Sequence, residues 1–357
     1  MKLDFISLKN FRNYSATKMN LNPRINIFLG DNGQGKTNLL EAVWTLMNGQ
    51  TFRNSKSRDL IKFNENSLEI SGEISDKFHT NQIKFAILDD KKKLELNGKK
   101  INSRSKIKKL VSTVIFDKDL SYNLAQSFKP RRDCLDSIIS NLSSEYKVLI
   151  RNYNKEIKRK NETLRTTKSD ELLDFIDERL IKLSNKVSLN RRLWISRIID
   201  ITNQVIKKLD NDFVINLDFN SDSIEVGKLK KALRHNRVRD KMLGNASTGS
   251  HKDKISFLVK KADIFNFGSE GEKKTVALAI KISEILILKK IEGNFPVILI
   301  DEIGNEFDQK RVRFFYNFVT KINTQCFITA TSQNLLSKQN QDYALFSITN
   351  GDCIKIS

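Results

Sequence analysis

The first apolar run of the chain with a clear boundary is Ile25-Asn26-Ile27-Phe28-Leu29. It predicts a short strand that stops where Gly30-Asp31-Asn32-Gly33 begins. Directly after it, Asn38-Leu39-Leu40-Glu41-Ala42-Val43-Trp44 predicts a helix. Residues 66–74 and 82–89 alternate apolar and polar positions, which predicts two strands. Residues 89–93 read as a hairpin tip, and Leu94-Glu95-Leu96-Asn97-Gly98 continues that hairpin. The first third is therefore expected to be β-rich with turns.

The pattern changes in the middle. Tyr146, Leu149, Ile150, Tyr153 and Ile157 recur in steps of mostly three and four. So do Leu173, Ile176, Leu180, Leu183 and Val187, and then Trp194, Ile198, Ile201, Val205 and Leu209. Such steps lay an apolar seam along one face of a helix. No Pro or Gly falls between Pro130, placed to open the helical stretch, and Gly227. A helix of about 40 residues would reach about 60 Å, so a protruding hairpin and an ordinary bundle are both open. In the final third the texture is α/β again. Residues 270–291 predict a helix, with Val276, Ala279, Ile280, Ser283 and Ile287 along one face, and residues 296–300 and 326–329 predict strands. Two α/β parts flanking a helical stretch imply one sheet domain interrupted in sequence. The expected division is a discontinuous head, residues 1–125 and 241–357, and a helical insert, residues 126–240.

Charge adds a partner class. The 357 residues carry a formal net charge of +21. It is spread as +9 over residues 1–120, +8 over 121–240 and +4 over 241–357. No basic tail accounts for it, so a folded face must carry it, and a polyanion such as nucleic acid is the expected partner. No apolar run approaches the ~18 residues that span a bilayer, and the opening Met1-Lys2-Leu3-Asp4 has no signal-peptide pattern. No membrane association is expected. The sparse Cys134, Cys326 and Cys353, with no metal-ligand spacing among Cys and His, fit a reducing cytoplasm.

Three motifs carry chemistry. Gly30-Asp31-Asn32-Gly33-Gln34-Gly35-Lys36-Thr37 fits G-x-x-x-x-G-K-[ST] between a strand and a helix. Backbone N–H groups of such a loop cradle phosphates, Lys36 neutralises β/γ-phosphate charge, and the Thr37 hydroxyl serves Mg²⁺. Val297-Ile298-Leu299-Ile300-Asp301-Glu302 is a buried strand ending in two acids. Asp301 is placed to hold Mg²⁺ and Glu302 to polarise an attacking water as the catalytic base. Gly268-Ser269-Glu270-Gly271-Glu272 precedes a helix; it offers a hydroxyl and N–H groups to an anion, and the Ser269/Glu272 spacing is also that of a capping box.

The order of these motifs resembles that of ABC-type ATPases. More narrowly, the chain resembles the RecF family of the SMC-like branch, over nearly its whole length. The resemblance rests on Leu8-Lys9-Asn10-Phe11-Arg12-Asn13-Tyr14, residues 49–53 to 59–61, Pro130-Arg131-Arg132 through Leu135-Asp136, and Tyr146, Tyr153 and Arg159-Lys160-Asn161. Gly249-Ser250-His251-Lys252-Asp253 and the three motifs above complete it. Three departures stand out. Glu272 replaces the usual signature Gln; Asn305-Glu306-Phe307-Asp308 replaces Ser-Glu-Leu-Asp; and a Pro is missing before His251. Residues 329–332, Thr-Ala-Thr-Ser, lack the switch His of transporter-type ATPases, as RecF-like proteins do.

The resemblance implies an ABC-type, SMC-like P-loop ATPase head with an all-helical inserted second domain. It implies ATP and Mg²⁺ as cofactors, Arg12 as a further nucleotide-binding residue, and a D-loop containing Asn305 and Asp308. Two heads would sandwich two ATP molecules, with Ser269, Gly271 and Glu272 of one subunit acting in trans on nucleotide held by the other. The implied work is recombinational repair and replication-fork maintenance: an ATP-driven homodimer clamps DNA at single-strand gaps and, with RecO- and RecR-like partners, promotes RecA loading. Weak DNA-stimulated ATP hydrolysis would serve as the switch. A DNA-binding scaffold that binds ATP with little hydrolysis is the alternative. A transporter-type subunit is disfavoured by the 233 residues between Lys36 and Ser269.

Overall fold

A computed structural model describes residues 1–53, 55–117, 119–209, 213–302, 308–331 and 343–356. The chain divides into two compact units, one of residues 1–118 and 288–357 and one of residues 119–287. The expected insert lies inside the second unit, which also carries residues 241–287.

The first unit holds two six-stranded sheets. The antiparallel one is formed by β1 (Lys2–Phe11), β2 (Tyr14–Asn20), β4 (Ser67–Ser75), β5 (Thr80–Leu88), β6 (Lys91–Leu96) and β7 (Lys99–Lys100), in the order β2-β1-β4-β5-β6-β7. The expected hairpin tip narrows to Asp89 and Asp90, both at positive φ, as a two-residue turn between right-twisted strands requires. A register shift between Leu3 and Phe5 lets Leu3 and Ile6, of opposite parity, both enter the core. The second sheet runs β15-β14-β3-β13-β12-β8. Its members are β3 (Ile25–Leu29), β8 (Thr113–Phe116), β12 (Val297–Ile300), β13 (Cys326–Ala330), β14 (Tyr343–Thr349) and β15 (Asp352–Lys355). All pairings from β8 to β14 are parallel, and only β15 is antiparallel.

Helix α1 (Lys36–Asn48) shares one hydrophobic core with both sheets. Leu39, Leu40, Val43, Leu46 and Met47 pack with Ile70, Ile83 and Phe85 of the first sheet and with Phe28, Leu299, Phe327 and Phe346 of the second. From Leu39 to Asn48 every residue of α1 is buried, including the polar row Glu41, Thr45 and Asn48 along one face. The same burial explains why β12 reads as a continuous apolar run and β3 as one interrupted only by the buried Asn26. A short helix α2 (Ser105–Lys108) and, after β12, a helix over Gln309–Lys321 complete this unit.

The second unit is mainly helical: α3 (Leu120–Gln126), α4 (Phe128–Leu142), α5 (Ser144–Arg165), α6 (Asp170–Lys208), α7 (Val226–His235), α8 (Arg237–Leu243) and α9 (Ile264–Phe267). Helix α10 (Glu270–Glu292) runs from it into the first unit, which makes the helix over Gln309–Lys321 α11. Pro130 sits in the first turn of α4, where its missing N–H costs nothing. The unit also has a three-stranded sheet, β11-β10-β9, of β9 (Asn216–Asn220), β10 (Lys254–Val259) and β11 (Ala262–Asp263).

The two apolar stretches between residues 173 and 209 form one helix, the 39-residue α6. Its first half packs as the seam predicts, with Ile176, Leu180 and Val187 against Tyr153 of α5. Its second half is turned slightly: Ile195, Ile198, Ile199, Thr202, Val205 and Ile206 are buried, while Trp194 and Ile201 are half-buried. Between the halves the buried positions are polar. Ser188 and the fully buried Arg191 bond to Asp253, and Arg191 also holds Asp136 at 2.9 Å. Removing one partner from such a buried pair costs about 3–5 kcal/mol, because the other charge is left uncompensated. Among the described residues no helix is long and apolar enough to cross a membrane.

Candidate nucleotide-binding site and signature loop

The loop of residues 30–35 joins the C-terminal end of β3 to the first residue of α1. Two glycines in it are required by space and backbone. A Cβ on Gly30 would lie 2.3 Å from the Ile348 carbonyl oxygen. Gly35 has φ +113°, and a Cβ there would meet the Asn13 side chain at 2.4 Å. The rest of the loop is fixed by neighbours. Asn13 Nδ2 donates to the Gln34 carbonyl (3.0 Å), and the Tyr14 hydroxyl donates to the Gly35 carbonyl (3.0 Å). Asn350 N–H donates to Gln34 Oε1 (2.7 Å), and Gly351 N–H to the Gln34 carbonyl (3.1 Å). Asp31, Asn32 and Gly33, at the open side of the loop, are exposed.

Lys36 is the charge at the centre. Its side chain is 3% exposed, and Nζ donates to the carbonyls of Gly30 (2.8 Å) and Asp31 (3.0 Å) and pairs with Glu302 Oε1 (3.0 Å). Glu302 itself has φ +50°, a left-handed backbone that bulky residues avoid at a cost of about 1–3 kcal/mol. Its N–H donates to Thr329 Oγ1 (2.9 Å).

Asp301, at the C-terminal end of β12, is brought to the loop although β13 lies between β12 and β3. Its Oδ1 accepts from Thr37 Oγ1 and from Thr329 Oγ1, both at 2.9 Å. Thr329 spans the intervening strand and was not legible in the sequence, because only the parallel pairing places it there. Burial raises the Asp301 carboxyl above the ordinary Asp range, Glu302 adds to the rise, and the bonds from Thr329 and Thr37 oppose it. A buried carboxylate beside a hydroxyl, with no cationic side chain bonded to it among the described residues, fits a site for a divalent cation.

This raised pKa has a measurable consequence. Folded Asp301 holds its proton at pH values where the unfolded chain has released it. Its contribution to stability is full below the ordinary value of 3.8 and is lost as pH rises through the raised one. Asp301→Asn, which keeps the acceptor oxygen but not the charge, is expected to raise the melting temperature of the nucleotide-free protein at pH 7 by about 2–4 °C. Added Mg²⁺ and ATP should then stabilise the variant much less than the parent. Differential scanning fluorimetry between pH 5 and 8 checks both; a lowered melting temperature without nucleotide would contradict the sign.

Arg12 lies against α1. Its guanidinium is bonded to both oxygens of the buried Glu41 (3.0 and 3.1 Å), to Ser55 Oγ (2.8 Å) and to the Asp59 carbonyl (2.7 Å). Arg53 reaches Glu41 at 3.5 Å and Asn38 at 3.0 Å. Arg12 thus ties residues 55–59 to the helix that follows the loop. Asn305 lies outside the described residues. Asp308 caps α11: Oδ1 accepts from the Arg311 N–H (2.9 Å), and the carboxylate pairs with the Arg311 guanidinium.

The signature loop belongs to the second unit. Ser269 and Glu272 form the reciprocal capping box: Glu272 Oε2 accepts from Ser269 N–H (2.7 Å) and Oγ–H (2.9 Å), while Ser269 Oγ accepts from Glu272 N–H (3.2 Å). The exposed Glu270 is paired with Lys273 at 2.9 Å, which lowers its carboxyl pKa. Gly271 lies in the first turn of α10, and its carbonyl accepts from Thr275 Oγ1 (2.9 Å). Upstream, Asp263 Oδ1 caps α9 through the N–H groups of Phe265 (2.9 Å) and Asn266 (3.2 Å). Buried Arg131 holds the other Asp263 oxygen at 2.6 Å and Asn266 Oδ1 at 3.1 Å. The approach to Ser269 is thereby anchored to α4. Arg131 and Asp136 stand among the sequence signals, but Asp263 carried none.

A parallel sheet with a phosphate loop after one strand and an Asp-Glu pair after another, sharing its helix with an antiparallel sheet, is the ATPase head of ABC-type, SMC-like proteins. The chain matches the RecF/RecN/SMC N-terminal domain over residues 2–353. It is 30% identical to the DNA replication and repair protein RecF of Clostridioides difficile, covering 100% of this chain and 99% of that one. A RecF of Clostridium botulinum is also 30% identical, with 99% and 100% covered. The chain belongs to the RecF family. A solved structure of the recombination mediator RecF with ATP superposes with a TM-score of 0.86 at 28% identity, over 99% of both chains. An SMC head bound to a winged-helix domain of ScpA shares the fold alone, with a TM-score of 0.58 at 16% identity.

Proposed function

We propose that this protein is an ATP-operated DNA clamp of recombinational repair and replication-fork maintenance. The observation that carries the reading is the convergence of Lys36, Thr37, Asp301 and Glu302 at one end of the parallel sheet. Full-length likeness to RecF proteins, one of them solved with ATP, supports it. The loop N–H groups and Lys36 bind the phosphates. Thr37 and Asp301 hold Mg²⁺, which when bound offsets phosphate charge and the buried charge of Asp301. Thr329 fixes the Asp301 carboxylate and the Glu302 backbone together. Glu302 is held by Lys36 until a phosphate takes its place, and is then free to orient a water. Arg12 contributes by holding residues 55–59 beside α1.

Two such heads close on two nucleotides, with Ser269 and Gly271 of each facing the nucleotide of the other and Asp308 at the seam. Before the Ser269 hydroxyl can donate to a phosphate it must leave Glu272, which favours slow hydrolysis suited to a switch. The net +21 per chain suits phosphate-backbone contact with counterion release. The cargo is DNA at single-strand gaps, and the protein partners are RecO- and RecR-like, acting ahead of RecA.

The experiment is Glu302→Gln. The variant is expected to bind ATP, to persist as a dimer in light scattering, and to remain on gapped duplex for at least about ten times longer than the parent. Only monomer in the presence of ATP and DNA would reject the clamp.

A further inference from the structure

A cleft of about 690 Å³ lies between α6 and α7 in the second unit. Ile181, Val226 and Leu233 line it, and Asn185 fixes its wall by donating to the carbonyls of Ser223 (3.1 Å) and Ile224 (2.7 Å). Lys182 and Lys186 stand one turn apart on α6, and Lys230 and Arg234 one turn apart on α7. All four are exposed, and none has an ion pair among the described residues. The charge at the opposite end differs. There Asp174 and Asp177 are taken up by Arg237 at 2.6 and 2.9 Å, while Glu178 lies exposed in the cleft.

We infer that this cleft docks a protein partner through an acidic segment with aliphatic anchor residues, separately from the nucleotide site and from DNA. The aliphatic lining accepts anchors, and the four facing cations accept carboxylates. Nucleic acid fits less well for two reasons. No aromatic side chain lines the cleft, so a base has no face to stack on. A phosphodiester strand is negative along its whole length and would have to pass Glu178, one turn before Lys182 on α6, and Asp174, one turn further. A peptide can confine its acids to the basic end. The geometry is that of an extended or helical segment laid into a helix–helix groove.

The test uses the full-length protein and a fluorescein-labelled peptide of about ten residues, with Leu and Ile throughout and Asp and Glu confined to one half. Its control keeps the acids and replaces every Leu and Ile with Ser. Anisotropy is expected to show the aliphatic peptide binding at least about tenfold more tightly than the control. Lys182→Glu/Lys230→Glu and, separately, Val226→Asp should each weaken it by about tenfold or more. Lys91→Glu/Lys93→Glu on β6, the same change in net charge, should leave it within about twofold. Equal binding of the two peptides, or equal loss with the β6 variant, would reduce the effect to general attraction and overturn the docking site. Displacement of the peptide by an oligothymidylate, with DNA binding lost in Lys182→Glu/Lys230→Glu, would make the cleft a nucleic-acid surface and overturn it equally.

Discussion

Lys36→Ala is expected to lower ATP affinity by about two orders of magnitude or more, measured by titration calorimetry or with a fluorescent nucleotide. Charge-assisted hydrogen bonds contribute about 1.5–3 kcal/mol each, and a tenfold change in affinity is about 1.4 kcal/mol. Losing the ammonium removes the phosphate's cation and leaves the carbonyls of Gly30 and Asp31 and the Glu302 carboxylate facing a polyanion. The loss therefore has two parts, missing attraction and uncovered repulsion. The double variant Lys36→Ala/Glu302→Gln separates them, since it restores only the second and should bind more tightly than Lys36→Ala alone. An ATP affinity for Lys36→Ala within about threefold of the parent would remove Lys36 from the site.

The second large effect is on assembly. Ser269→Arg should leave ATP affinity within about twofold and abolish the ATP-dependent dimer, as read by light scattering in the Glu302→Gln background. The substitution also deletes a helix cap worth about 1 kcal/mol, so a loss of assembly could come from a frayed α10. Ser269→Asp is the comparison, with the helicity of α10 checked by circular dichroism. Asp accepts from the first-turn N–H as Ser does, although it gives up the Oγ–H bond to Glu272, and it turns a negative charge towards the phosphate it would meet. Dimerisation lost in both variants supports contact in trans, whereas a normal dimer with Ser269→Asp would assign Ser269 to capping alone.

How much of this could be read from the sequence depended on how local each interaction is. The strand, loop and helix over residues 25–48 are contiguous, and glycine spacing, apolar runs and Lys36 all point the same way. Asp301 and Glu302 were legible because a fully buried parallel strand must be apolar until it ends. Thr329, Asn13 and Tyr14 were not legible as parts of the site. Each is an ordinary polar residue until sheet pairing sets it beside Asp301, Gln34 or Gly35. In the middle of α6 the seam has no apolar member between Val187 and Trp194, because Ser188 and Arg191 serve Asp253 and Asp136, a role that nothing local announces. Strand β9, Asn216–Asn220, has only two apolar residues and gave too short a signal.

The walls of the phosphate loop carry a consequence for biosynthesis. Its residues are made long before the segments that wall them in: β3 is flanked by β13 and β14, and Gln34 is held by Asn350 and Gly351. On the ribosome the loop must therefore wait for about 300 further residues before its neighbours exist, at roughly 5–20 residues per second. During those tens of seconds the strand Ile25–Leu29 has no parallel partner from the C-terminal third. A messenger cut short before residue 343 would yield a chain that carries the nucleotide motif in its sequence but lacks one wall of its pocket.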